Sequence, residues 1–363
     1  MRKLKFKKRY IAYGLVLVIA ILAGAAYFIA NDTLDRINYE KAEDVKFAKT
    51  DLTDKELKEQ QAKATTVPEV HLDKDVINIL LIGEESIESD QGRSDSMMIA
   101  TINTKQKTLK LTSLMRDIYV EIPGYRNNKL NAAFNNGGGV LLTSTIEQNF
   151  QIKLDGYVRV NFQGFEKIID KLGGVSIDLA SWEAKYLNTT NYISKKKYRN
   201  VKEGTNTLNG NQALGYCRVR YKQTLNGEKD DFGRTNRQRT VLTALFNKYK
   251  QESVLDMIDT ANELMPYITT NISKTDIINY LTAAATLGTT ELETFRIPVD
   301  HSYANKKLLC GSSSASVLSI DFATNQNELH KFIYGTDVDG NEATIAPSAT
   351  PTVSPSATPS TNN

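Results

Sequence analysis

Apolar and polar positions along this chain fall into a few readable patterns. Residues 11–30 (IAYGLVLVIAILAGAAYFIA) form a run of 20 residues without a charge. That is enough to cross a hydrocarbon core of about 30 Å. The stretch VINILLIG (76–83) is apolar and ends in glycine, the pattern of a buried strand that hands the chain to a loop. Residues 97–103 and 108–113 flank the polar TKQK, which predicts a hairpin. A loop at 135–138 precedes a predicted helix over 139–150. Residues 156–161 alternate as a strand, 162–172 have a helical period that stops at Gly173-Gly174, and VSIDL follows as a strand. Helices are predicted at 209–216, 235–250, 254–264 and 274–287, then a strand at 292–298 and a last helix near 325–334.

Strands and helices alternate with short connections. This predicts one α/β domain over residues 71–336, a mixed central sheet covered by helices. The polar segment 31–70, with a helical stretch around 53–63, is expected to be a stalk. The tail, 337–363, contains PSATP at 347–351 and again at 355–359, is dominated by Pro, Ser and Thr, and is expected to be disordered.

Charge then orients the chain. Arg2, Lys3, Lys5, Lys7, Lys8 and Arg9 precede the apolar run. The positive-inside rule places a short basic tail, 1–10, in the cytoplasm and everything after residue 30 outside. A cleaved signal peptide ending near Ala23-Gly24-Ala25 is the alternative, but a cleavable apolar region is usually about 7–15 residues. The expectation is a single-pass protein of the cell membrane. The net charge of +3 contains those six basic residues; without them 39 basic face 42 acidic residues, about −3. A general nucleic-acid binder would carry a basic excess, so no nucleic-acid partner is expected. The two cysteines, Cys217 and Cys310, do not have zinc spacing and could pair as a disulfide. The three histidines lack a serine-hydrolase or zincin context.

Three charged clusters interrupt apolar stretches. In GEESIESDQGRSDSMM (83–98), crowded carboxylates including Glu85 and Asp95 need a cation or an arginine, and hard divalent ions take such oxygen ligands. A solvated acidic loop is the alternative. In SLMRDIYVEIP (113–123), Arg116-Asp117 is either an anion contact or a structural pair. YCRVRY (216–221) sets Arg218 and Arg220 two apart on an extended segment, and DFGRTNRQR (231–239) opens a helix that Asp231 could cap. Arg234, Arg237 and Gln238 are expected to share a helix face. Guanidiniums that converge need an anion between them, and their fork suits phosphate. A salt-bridged surface is the alternative. Arginines together with a carboxylate metal site describe a pyrophosphate site.

These residues also carry a family resemblance. Arg93-Ser94-Asp95-Ser96, Ser113-Leu114-Met115-Arg116-Asp117, Lys129-Leu130-Asn131-Ala132-Ala133, DKLGGV (170–175), Leu208-Asn209-Gly210 before Arg218-Val219-Arg220, and Asp231-Phe232-Gly233-Arg234 with Arg237-Gln238 resemble, in order, the motifs of the LytR-CpsA-Psr proteins of bacterial cell envelopes. The resemblance implies transfer of a glycopolymer, such as a teichoic acid or capsule chain, from a polyprenyl-pyrophosphate carrier to peptidoglycan, forming a phosphodiester. It implies that Arg93, Arg116, Arg218, Arg220, Arg234 and Gln238 hold phosphate. It implies that Asp95 and Glu85 hold Mg2+ or Mn2+, and that Arg116, Asp95 and Asp231 are catalytic. A hydrophobic channel for the lipid is expected from the family. The chain departs at Gly83-Glu84-Glu85-Ser86-Ile87, where the family has G-x-D-x-R, and at Met115, where it has proline. Those departures keep open a non-catalytic lipid-pyrophosphate-binding or regulatory envelope protein; a polyprenyl-pyrophosphate hydrolase, which differs only in using water as the acceptor, is a further alternative.

Overall fold

The computed structural model describes residues 32–64, 73–85, 94–249, 260, 262–289 and 291–338. In chain order the elements are β1 (Asn38–Tyr39), α1 (Asp54–Ala64), β2 (Val76–Glu84), β3 (Ser94–Asn103), β4 (Thr108–Leu114), β5 (Tyr119–Val120), β6 (Asn128–Lys129), α2 (Leu130–Phe150), β7 (Gly156–Asn161), α3 (Phe162–Lys171), β8 (Val175–Leu179), α4 (Ser181–Thr189), β9 (Gly204–Leu208), α5 (Gly210–Arg218) and α6 (Asp230–Tyr249). They continue with β10 (Ile268–Thr270), α7 (Lys274–Thr286), β11 (Leu292–Ile297), β12 (Tyr303–Cys310), β13 (Ser313–Ile320) and α8 (Phe322–Tyr334). Among the described residues no helix is long and apolar enough to cross a membrane. The apolar run 11–30, the tail from 339, and most of the helix expected at 254–264 lie outside the described residues.

Seven strands form a mixed sheet in the order β1-β10-β7-β2-β3-β4-β11. The expected hairpin is present, with β3 and β4 antiparallel. Strand β7 runs parallel to β2, and β11 parallel to β4. Strand β2 explains the layering, because its burial alternates strictly along its length. Val76, Leu80 and Ile82 face a core built with α2 and α8, while Leu81 and Gly83 point to the other side. A second apolar core joins α3, β8, α4, β9, α5 and α6 through residues such as Ile169, Ile177, Leu187, Ala213 and Val241. The uncovered side of the sheet faces this second core across a cleft.

The structure adds to and corrects the sequence expectations. The segment expected to be a stalk enters the domain: β1 pairs with β10, and Glu40 accepts from Tyr157 Oη and Arg159 Nη1. The helix predicted over 139–150 is present as the second part of α2, after a break at Gly137 and Gly138, the latter at φ 57°; the first part, from Leu130, was not predicted. The β12–β13 hairpin and helix α4 were not predicted; their mixed Ser, Lys and Asn composition carries no clear apolar period. Cys217 and Cys310 are both buried and unpaired.

Candidate functional site

The site begins with an irregularity in the sheet. Gly83 pairs with Ser96 and Glu84 with Ser94, so Asp95 is one extra residue on β3. Such a bulge re-aims the side chain it carries. Strand alternation splits the two neighbouring glutamates. Glu84 turns inward, buried, and accepts from Arg159 Nη2 at 3.0 Å. Burial outweighs that arginine and raises its carboxyl above the usual range. Glu85 turns outward to solvent, with Arg218 Nη2 4.0 Å away.

Asp95 is the hub. Its Oδ1 accepts from Arg116 Nη1 at 2.6 Å and from Arg234 Nη1 at 3.3 Å, and Arg220 Nη2 lies 3.9 Å away. Asp231 completes the cluster: Arg234 Nη2 donates to its Oδ2 at 2.9 Å, Arg116 Nε is 3.7 Å from Oδ2, and Arg220 Nε is 3.6 Å from Oδ1. That Oδ1 is buried and lacks a hydrogen-bond partner. Gln238 Nε2 lies 3.5 Å from the Asp95 carbonyl oxygen. Three guanidiniums therefore share two carboxylates. Burial pulls Arg234 down to about 10, Asp231 opposes that, and neighbouring Arg116 and Arg220 add to it. An additional anion here would relieve repulsion among the cations.

Local folding explains these placements. Asn209 caps α5, accepting from the Gln212 amide while Gln212 Oε1 accepts from the Asn209 amide. Helix α5 packs so closely on α3 that a Cβ on Gly210 would lie 2.1 Å from the Glu166 carbonyl oxygen. Arg218 is the last residue of α5 rather than part of an extended segment, and its guanidinium stacks over the Phe162 ring at 5.1 Å. Asp231 sits inside the first turn of α6 instead of capping it. Arg237 does not face the site. It is fully buried, donates to Glu183 Oε1 through Nε and Nη2, and donates to the carbonyl oxygens of Val219, Lys222 and Gln223. It braces the loop that carries Arg220. Arg93 lies outside the described residues.

Behind the charged rim lies an apolar cavity of about 430 Å³. The sheet contributes Leu81, Met98, Val158 and Val160; α3 contributes Phe162, Phe165 and Ile168; α6 contributes Leu242 and Leu245. Asp95, Arg218, Arg220, Arg234 and Gln238 line its polar end. The cavity has an anion-binding head and a hydrocarbon-like body, the shape of a site for an amphiphile with a phosphorylated end.

A divalent cation fits only part of this donor set. Among the described residues no group of three or more acidic, histidine or cysteine side chains could hold a metal alone. Mg2+ is commonly held by one or two carboxylates plus substrate phosphates. Asp95 lines the cavity's polar end, with its Oδ1 bonded to arginines, while Glu85 turns to solvent.

Comparison with known proteins places the chain. The LytR_cpsA_psr family model matches residues 41–329. The regulatory protein MsrR of Staphylococcus aureus (strain COL) is 31% identical over 258 residues, 71% of this chain and 74% of MsrR. The polyisoprenyl-teichoic acid–peptidoglycan teichoic acid transferase TagU of Oceanobacillus iheyensis is 33% identical over 241 residues, 62% of this chain and 70% of TagU. Two structures of TagT are similar. One, bound to LIIa-WTA, has a TM-score of 0.57 at 27% identity; the other, with bound octaprenyl pyrophosphate lipid, has 0.53 at 26%. Each covers 72% of this chain and 93% of the TagT chain. With the family model spanning most of the chain and the fold shared with TagT, the chain belongs to the LytR_cpsA_psr family.

Proposed function

We propose that this protein transfers a glycopolymer from a polyprenyl-diphosphate carrier to peptidoglycan, forming a phosphodiester, at the outer face of the cell membrane. The observation that carries the reading is the apolar cavity ending in Arg218, Arg220 and Arg234. The teichoic acid transferase relative and the lipid-bound TagT structure support it. Residues 11–30 would anchor the chain with its first residues in the cytoplasm.

In this reading the polyprenyl tail enters the cavity, and Arg116, Arg218, Arg220 and Arg234 hold the diphosphate, with Gln238 beside them. Arg93 adds to this set. A hydroxyl of the glycan attacks the phosphorus next to the sugar. The bond from that phosphorus to the bridging oxygen breaks, and polyprenyl phosphate leaves. Asp231, beside Arg116, Arg220 and Arg234, accepts the hydroxyl proton, which passes to the leaving phosphate. The arginines neutralise charge that develops on the transferred group. Asp95 and Glu85 would hold Mg2+ or Mn2+ together with diphosphate oxygens, and the ion would supply further neutralisation of that charge.

The test uses the full-length chain in detergent with Mg2+, a polyprenyl-diphosphate-linked saccharide and uncross-linked glycan strands. Saccharide joined to glycan supports transfer. Release of free saccharide phosphate alone indicates hydrolysis, and tight binding without turnover indicates a binding or regulatory protein. Arg220→Ala should abolish lipid-diphosphate binding, whereas Lys107→Ala, in the exposed β3–β4 turn, should leave it unchanged.

A further inference from the structure

A second basin adjoins the charged rim. Its volume is about 380 Å³, and it is lined by Trp182, Arg220, Tyr221, Lys222, Gln223, Lys229 and Asp230. Arg220 and Tyr221 line both this basin and the polar end of the apolar cavity, so the two adjoin across these side chains. Among the described residues, seven large hydrophobic side chains are exposed; Trp182, at 42%, and Tyr221, at 73%, are the pair that share one basin. Exposing two aromatic rings at one place costs burial that a folded chain normally takes.

The Trp182 ring is held in place. Trp182 Nε1 donates to the Gln223 carbonyl oxygen at 3.1 Å, and Arg237 Nη2 donates to that same oxygen at 3.1 Å. The indole N–H is thus used inward, and the loop is braced from below by a fully buried guanidinium. Lys222 Nζ sits 5.5 Å from the Tyr186 ring centre, which directs this lysine's stem along α4. The basin therefore offers a fixed indole face and an exposed phenol ring beside amide, ammonium and carboxylate groups. An aromatic face is electronegative and accepts the C–H face of a pyranose, while the polar groups around it can bond hydroxyls.

Resting on the diphosphate reading above, we propose that Trp182 and Tyr221 form the subsite for the saccharide attached directly to the diphosphate. Its place follows from connectivity. The lipid fills the apolar cavity and the diphosphate sits at Arg220, so the sugar must leave on the side away from the lipid. The basin shares Arg220 with the polar end of the cavity and none of the apolar residues of its body. Trp182 and Tyr221 are specificity residues that bind the sugar and do not touch the reacting phosphorus.

The experiment compares two probes on the full-length chain in detergent: a polyprenyl diphosphate carrying one N-acetylglucosamine, and the same polyprenyl diphosphate without sugar. Wild type should bind the sugar-bearing lipid about tenfold more tightly. Trp182→Ala should remove that preference and leave binding of the bare lipid within about twofold; Tyr221→Ala, whose side chain also lines the lipid cavity, should remove the preference on top of a common loss for both lipids. Trp182→Phe, which keeps a ring but loses the bond to Gln223, should retain most of the preference, so a loosened loop can be told from a lost platform. Leu309→Ala, an exposed apolar residue elsewhere, should change neither. Equal wild-type affinities for the two lipids overturn the subsite and leave the diphosphate reading intact. So does an equal loss for both lipids in the aromatic variants. Wild type that binds neither lipid overturns the diphosphate reading and the subsite with it.

Discussion

Arg237 Nη2 donates to Glu183 Oε1 at 2.7 Å, joining α6 to α4 with both side chains fully buried. The same guanidinium collects three backbone carbonyls from the loop between α5 and α6. Removing either partner strands a charge in the interior. Glu183→Ala or Arg237→Ala should therefore cost about 3–5 kcal/mol of unfolding free energy. Arg237→Lys keeps the charge but loses the fork, and should also be destabilised. Urea denaturation checks this; a midpoint unchanged from wild type would contradict the brace.

Asp95 is the shared counter-ion of Arg116 and Arg234. Asp95→Asn should eliminate transfer and leave the guanidiniums less compensated. Inorganic diphosphate should then stabilise the variant more than it stabilises wild type, because it restores the missing charge. Saturation at about 100 times Kd corresponds to about 2.7 kcal/mol for either protein, so the difference appears as a lower Kd. Melting curves across a diphosphate titration measure it. Equal Kd values would show that Asp95 does not balance the arginines.

Burial pushes the Cys217 thiol, in the cavity wall, from its ordinary value of 9 up to about 12, with Arg237 opposing. The folded state therefore holds the proton where the unfolded state releases it. The stability this contributes is fully present below pH 9 and is lost as pH rises towards 12. Buried tyrosines act in the same direction, so the informative quantity is a difference. Cys217→Ala should show a shallower fall in unfolding free energy over this window than wild type. Identical slopes would place the thiol in water.

Gly210 has no room for a side chain against the Glu166 backbone. Gly210→Ala must push α5 off α3 and move Arg218 with it. We expect a loss of about 1–3 kcal/mol in stability. Lipid-diphosphate affinity should fall too, because Arg218 moves from its place over Phe162. Stability lost with affinity retained would separate Arg218 from the head-binding group.

Much of the sheet was legible because its strands carry strong local signals. VINILLIG is continuous and apolar, and the β3–β4 hairpin is marked by polar TKQK between two apolar runs. The convergence of Arg116, Arg220 and Arg234 was suggested by charge beside apolar strands, since such charge requires partners. What the sequence hid was direction. Arg237 lies three positions after Arg234 and Gln238 four, and both spacings suggest a common face. Helix α6 is wedged between two surfaces, however, and Arg237 finds Glu183 on α4, a helix with no clear period of its own. Glu84 and Glu85 are adjacent and acidic, yet pleating sends one inward to Arg159. The bulge at Asp95 is a matter of strand register, which no run of residue types announces.

Helix α6 carries Arg234 at the charged end of the cavity and Leu245 along its apolar wall, eleven positions on. At the helical rise this is about 16 Å. In the transferase reading the helix is a gauge of fixed length: carriers that differ only beyond that distance from the headgroup are the same molecule to it.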